Sequence, residues 1–154
     1  MKVLFLDIDG VLNSIRWFDY LYDSKREMNY PLCEFDPLCV ANLNSLIAEI
    51  GCQLVITSSR RLSERINDVL AEVGVRGEIV GQTPVLFNAT RGAEVEAWLS
   101  EHQEVEQFAI VDDRTDFLPC QMTHFVHTNE KAGMTDADVI QLIEILNSNE
   151  NDKD

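Results

Sequence analysis

The run Val3-Leu4-Phe5-Leu6 places the tightest constraint on what this chain can fold into. It is too short for a helix and offers no polar residue to water. It therefore reads as a strand covered on both faces, as in a parallel sheet flanked by helices. The run ends on Asp7-Ile8-Asp9-Gly10, two carboxylates one residue apart followed by a glycine at which the chain can turn. Asp7 stands at the carboxyl end of the strand, where open α/β sheets place their ligands. A carboxylate there is costly to desolvate unless a cation or hydrogen-bond donors meet it. Two such acids suggest a metal, an acid/base pair, or both.

The rest of the chain alternates short apolar runs with helical periodicity. Further strands are expected over 53–57, 78–80 and 108–111, with a weaker one over 124–127. A helix over 37–50 puts Leu38, Val40, Leu43, Leu46, Ile47 and Ile50 on one face and stops at Gly51. One over 63–73 carries Ile66, Val69, Leu70 and Val73 and stops at Gly74; one over 92–102 carries Val95, Trp98 and Leu99. The last, over 136–148, has Thr135 as its cap and Val139, Leu142, Ile143 and Leu146 inward. This order predicts a Rossmann-like three-layer α/β sandwich with a central, mostly parallel sheet and right-handed crossovers. The segment 14–36 breaks the pattern. It holds Trp17, Phe18, Tyr20, Tyr22 and Tyr30 among mixed charges with no clear period. It reads as an irregular insertion, either a lid over the site or a flank packed on the sheet edge. One domain over 1–148 and a polar tail over 149–154 complete the expected organisation.

Composition narrows the function classes. With 45% apolar and 25% charged residues, the 154-residue chain fits a globular domain with a sizeable core. Its net charge of −15 works against binding a long nucleic acid, which needs Lys and Arg to neutralise phosphates, and against anionic membranes. No stretch approaches the roughly 20 apolar residues of a membrane span, and the amino-terminal residues lack a signal peptide's cleavage site. Cys33, Cys39, Cys52 and Cys120 show no C-x-x-C spacing and read as reduced thiols, so a cytoplasmic location is expected. His102, His124 and His127 are not paired with cysteine at zinc-finger spacing.

Three strand ends deliver polar residues to one edge of the expected sheet: Asp7 and Asp9; Thr57, Ser58, Ser59 and Arg60; and Asp112, Asp113 and Asp116, with Arg91 opening a helix close by. Each group alone has a structural explanation as a helix cap. Together the acids repel one another unless a cation joins them. Carboxylates suit Mg²⁺ in an all-oxygen shell, and hydroxyls, backbone amides and an arginine suit a phosphate. A carboxylate beside both can attack phosphorus, and a second can move the proton.

These residues resemble the motifs of haloacid-dehalogenase (HAD) superfamily phosphatases, from Asp7 to about Thr128. Asp7-Ile8-Asp9-Gly10-Val11-Leu12-Asn13 is similar to the first motif, DxDG-[TV]-[LT]; Leu54-Val55-Ile56-Thr57 to the second; Val111-Asp112-Asp113 to the fourth. The resemblance implies a HAD-like fold, with Asp7 as nucleophile and Asp9 as general acid/base. Thr57 would hold the phosphoryl oxygens, with Ser58 as the alternative one residue on and Arg60 beside them. Asp7, the backbone carbonyl of Asp9, and Asp113 would bind Mg²⁺, with Asp112 supporting or sharing. In the third motif Arg91 stands where the family has a lysine, bringing charge without a lysine's compact geometry; Lys131 comes too late. Retention of Asp9 implies phosphoryl transfer, since the dehalogenating members lack it.

Finer resemblances concern the substrate. Val111-Asp112-Asp113-Arg114-Thr115 is similar to the phosphatase domain of phage polynucleotide kinases. Thr57-Ser58-Ser59-Arg60, Thr83-Pro84, Arg91-Gly92, Trp98-Leu99 and Gly133-Met134-Thr135 resemble the small HAD domains of RNA-repair proteins. Both imply a nucleotide or polynucleotide phosphate, and the net charge favours a nucleotide or other small phosphomonoester. No interval is long enough for a cap domain, so the resemblance implies a minimally capped member with 14–36 as its only insertion. His127, at the end of the last expected strand, either touches substrate or is structural. Two other classes use related residues. A phosphotransferase or mutase shares the aspartyl-phosphate. A phosphate-sensing receiver shares acids, a Thr and a basic residue, but carries its phosphorylated Asp on the third strand and a Lys after the fifth, an arrangement absent here.

Overall fold

In the computed structural model, which describes residues 1–24 and 28–148, the apolar run at the amino terminus becomes the middle strand of a sheet. The strands are β1 (Lys2–Leu6), β2 (Gln53–Ile56), β3 (Ile79–Gln82), β4 (Gln107–Asp112) and β5 (Phe125–His127), in the order β3-β2-β1-β4-β5. Every pairing is parallel, with Leu4 of β1 opposite Leu54 of β2 and Ala109 of β4. The helices are α1 (Ile15–Ser24), α2 (Pro37–Ile50), α3 (Ile66–Glu72), α4 (Arg91–Ser100) and α5 (Asp136–Asn147).

The burial of β1 explains why it carries no polar residue between Val3 and Leu6. All four of these side chains are fully buried and point alternately to two cores. Leu4 and Leu6 join the larger core with Leu43 and Leu46 of α2, Leu70 of α3 and Leu142 of α5. Val3 and Phe5 join the smaller one with Val95 and Trp98 of α4. There Trp98 meets Phe5 edge-on, with ring centroids 5.5 Å apart. One apolar cluster on each face of a parallel sheet is the three-layer α/β sandwich, with a Rossmann-like order of elements. Among the described residues, no helix is long and apolar enough to cross a membrane.

Two segments depart from the sequence-based expectation. The insertion 14–36 is not irregular throughout: it forms α1 and a short 3-10 turn at Leu32–Glu34. The Ser14 hydroxyl starts α1 by accepting from the Trp17 N–H at 3.0 Å. The apolar residues of this helix, Ile15, Trp17, Phe18, Leu21 and Tyr22, do share one face, but only Leu21 is buried. Its tether is instead polar, the Trp17 indole donating to the Cys33 carbonyl at 2.9 Å. The helix expected over 63–73 is shorter, because a 3-10 turn at Ser59–Leu62 precedes it and α3 begins only at Ile66. The Ser58 hydroxyl accepts from the Arg60 N–H at 3.1 Å and the Ser63 hydroxyl from the Arg65 N–H at 3.3 Å. Such local bonds compete with helix continuation. The expected polar tail, 149–154, lies outside the described residues.

Candidate active site

Strand order reverses between β1 and β4, so the chain leaving these two neighbours departs in opposite directions and opens a crevice at their carboxyl ends. Asp7, Asp112 and Asp113 meet in it. Each offers a carboxylate oxygen, and the three oxygens lie within 4.8 Å of one another. Asp7 and Asp112 are 2% and 0% exposed, which makes the cluster a buried feature rather than surface acidity. Arg91, the first residue of α4, sets its Nη1 3.0 Å from Asp7 Oδ1 and 2.7 Å from Asp112 Oδ2. Burial, reinforced by the Asp112 carboxylate and opposed by Arg91, pushes the Asp7 carboxyl up to about 8. Burial also raises Asp112. One guanidinium is thus short of the positive charge these acids call for.

The approach of Arg91 is built by the start of α4. The Thr90 hydroxyl accepts from the Ala93 N–H at 3.1 Å, and Asp116 accepts from the Arg91 N–H with its carboxylate and from the Gly92 N–H with its carbonyl, each at 3.1 Å. Asp116, counted among the site acids from sequence, therefore serves as a cap for α4. Its other partner is Arg114, which donates to the Asp116 carboxylate at 2.7 Å.

The turn after β1 is locked from three sides. Gly10 has φ +81°, and a Cβ there would collide with the Asp113 carboxylate, so only glycine lets the first and fourth motifs close on each other. Asn13 accepts from the Gly10 N–H and donates to Asp9 Oδ1, both at 2.9 Å. The Thr128 hydroxyl donates to the Gly10 carbonyl at 2.9 Å. Asp9 itself does not point into the acid cluster. Its side chain is 54% exposed and held by the fork of Arg60, with Nε at 3.0 Å and Nη2 at 2.7 Å. The Arg60 hydrogen bonds hold its carboxyl below the usual range. Arg60 also reaches Glu34 of the insertion at 2.6 Å, so the insertion touches the site through this residue.

Thr57 lies beside Asp7, its N–H donating to the Leu6 carbonyl at 3.0 Å. Its hydroxyl is the one fully buried side-chain polar atom without a hydrogen-bond partner among the described residues. Leaving such a group unpaired costs about 1–3 kcal/mol, a sign that a ligand completes it. Ser58, the alternative one residue on, already spends its hydroxyl on the turn. His127 is also engaged, its Nε2 lying 2.9 Å from the Asp113 carbonyl. With Asp113, Thr128, Asn129 and Glu130 it borders a cavity of about 470 Å³. Three residues gain a supporting role only in the structure: Asn13, which stands in the first motif, Thr128, which follows the last strand, and the buried Arg61. For Asn13 a signal existed, since Asn just past a turning glycine often bonds back to its backbone.

The donor set fits a hard divalent cation, because every candidate ligand is an oxygen. The orphaned Thr57 hydroxyl and Arg91 fit the oxygens of a phosphoryl group. A search of the curated proteins found no match, and neither did a search of the solved structures. A scan against family models did: residues 3–139 match the HAD domain in Swiss Army Knife RNA repair proteins. The parallel sheet, the three clustered aspartates and that match over most of the chain establish it as a member of this HAD family, whose domains are of the phosphatase-type hydrolase class.

Proposed function

We propose that the chain is a Mg²⁺-dependent phosphatase that hydrolyses a phosphomonoester through an aspartyl-phosphate on Asp7. The observation that carries this reading is the pairing of a buried, cation-deficient acid cluster with an orphaned hydroxyl on the neighbouring strand end. Asp7, the carbonyl of Asp9, Asp113 and Asp112 would hold the Mg²⁺, which supplies positive charge that keeps Asp7 ionised and offsets the charge on the phosphoryl oxygens.

Asp7 attacks phosphorus with a carboxylate oxygen; the new O–P bond forms as the bond to the leaving oxygen breaks. Asp9 gives its proton to that oxygen. In the second step Asp9 takes a proton from water, whose oxygen attacks phosphorus and releases inorganic phosphate and free Asp7. Thr57 and Arg91 hold the phosphoryl oxygens in both steps, so rate comes from positioning and charge rather than from a reactive side chain. Arg60 keeps Asp9 ionised before substrate arrives, so Asp9 must first take up a proton from solvent water before it can give one to the leaving oxygen; in later turnovers that proton comes from the attacking water. Proton donation asks Arg60 to release that carboxylate, and a substrate anion is the natural competitor. Ser58 supports this position through the turn.

Charge supports the choice of substrate class. The net charge of −15 favours a nucleotide or other small phosphate over a long nucleic acid. The polynucleotide end suggested by the family description is the alternative for the same chemistry. Four unpaired cysteines suit a reducing cytoplasm.

Phosphate release from an aryl phosphate is expected with Mg²⁺ and lost in EDTA; equal release in both would sink the metal-dependent mechanism. Nucleotides compared with 3′- and 5′-phosphorylated oligonucleotides then test the substrate class. A strong oligonucleotide preference would overturn the argument from charge. Thr57→Val offers an independent check. It removes a hydroxyl that bonds nothing within the protein, so the melting temperature should hold or rise. Activity should fall on the order of 100-fold, as when one donor to a transition-state oxygen is lost.

A further inference from the structure

Arg61 lies four residues beyond Thr57 in the turn after β2 and is buried, at 8% exposure. A guanidinium has five N–H donors in a fixed planar fork, and here each direction of that fork is used. Nε donates to the Thr83 carbonyl at 3.0 Å. Nη1 donates to the carbonyls of Thr57 at 2.7 Å and Ser58 at 3.0 Å. Nη2 donates to the Pro84 carbonyl at 3.4 Å and pairs with the Glu94 carboxylate. Three parts of the fold converge on this one side chain: the turn after β2, the segment after β3, and α4.

Two of those parts carry the groups assigned to the phosphoryl oxygens. The carbonyls of Thr57 and Ser58 belong to the residue with the orphaned hydroxyl and to its neighbour. Glu94 lies one turn along α4 from Arg91, whose Nη1 bridges Asp7 and Asp112. A buried ion pair alone is weak support for stability, and apolar replacements often do as well. What apolar residues cannot do is hold four carbonyls and a helix at fixed spacing.

We infer that Arg61 is a positioning residue that sets the Thr57 hydroxyl and the Arg91 guanidinium at the separation a phosphoryl group requires. The inference rests on the phosphatase reading above and adds to it a residue that touches neither substrate nor metal. Lysine cannot replace it, because an ammonium has three donors at one point and reaches only part of the set.

The test is Arg61→Lys, read by kcat, KM and the inhibition constant of orthovanadate, a mimic of the pentacoordinate phosphorus in transfer. Loss of alignment lowers kcat/KM on the order of 100-fold and weakens vanadate by a similar factor, because the mimic uses the same alignment. A merely structural role would shrink the active fraction, lowering kcat while KM and the vanadate constant stay put; that result, or wild-type values throughout, overturns the inference. Should Arg61→Lys not fold, Glu94→Gln loosens the α4 end of the clamp, and an unchanged vanadate constant there overturns it equally. Calorimetric binding of vanadate separates the two readings. A wild-type protein that binds vanadate but hydrolyses no phosphomonoester defeats the phosphatase reading, while Arg61→Lys still decides the alignment. One that does neither defeats both.

Discussion

Replacing Asp7 by asparagine is expected to abolish phosphate release while leaving the metal-free protein at least as stable as the wild type. The loss should be about 10⁴-fold or more in kcat, the scale on which removal of a covalent nucleophile acts. The stability expectation comes from the same environment. Asp7 is 2% exposed, next to the buried Asp112, and shares the single Arg91 Nη1 with it. An asparagine removes one of two competing carboxylates and leaves Arg91 fully paired with Asp112. Most substitutions at buried polar sites lose stability and activity together; here they should part. Steady-state kinetics with Mg²⁺ and thermal melts in EDTA check both halves. A variant that retains activity would remove Asp7 from the chemistry. One that melts well below the wild type near pH 9 would show that the acid cluster is not under strain.

Without metal, the wild-type protein should melt at a lower temperature near about pH 9 than near about pH 6. The sign follows from Asp7, whose carboxyl is pushed up to about 8, mostly by burial and then by Asp112. An acid with a folded pKa above its unfolded one binds its proton more tightly in the folded state. Its contribution to stability therefore declines as pH rises from the ordinary carboxylate range to about 8, and is gone above that. Asp112, also raised by burial, acts in the same direction. Asp9 is held low by Arg60 and titrates below this window. Burial keeps the Cys39 and Cys52 thiols neutral through it, at about 12 and about 11. For a domain of this size each 1 kcal/mol moves the melting temperature by about 2–4 °C, so a difference of several degrees is expected. Mg²⁺ should raise the melt more at the higher pH, where the acids are ionised, and Asp7→Asn should flatten the profile. A wild-type melt in EDTA that is flat or rises across this window would contradict the charge deficit at the site.

Which features could be read from sequence follows from how local their causes are. The middle strand was legible because being covered on both faces leaves no place for a polar residue between Val3 and Leu6. Helix α2 was legible to both its ends, Pro37 and Ile50, because Asp36 caps it, Pro37 starts it and Gly51 stops it in the left-handed conformation. Helix α1 was not, although its apolar residues share one face: only Leu21 of that face is buried, and an indole hydrogen bond ties the helix to the turn that follows. The start of α3 was misplaced because two serine hydroxyls take up backbone N–H groups ahead of it.

The site divides in the same way. The chain itself determines that acids stand at the carboxyl ends of β1 and β4, that Thr57 follows β2, and that Arg91 opens α4, because strand ends, caps and turns are encoded by neighbours in sequence. Only the tertiary structure decides who meets whom. Asp112 takes Arg91 while Asp113 closes on Gly10; Thr57 rather than Ser58 keeps a hydroxyl without a partner; Asp9 turns outward to Arg60; Asp116 becomes a cap. Those outcomes depend on strand order and on bonds between residues as far apart as Thr128 and Gly10, 118 positions along the chain. A burial environment assembled from distant segments sets the charge of Asp7 and spends Arg61 on backbone carbonyls, and no local pattern of residues carries that information.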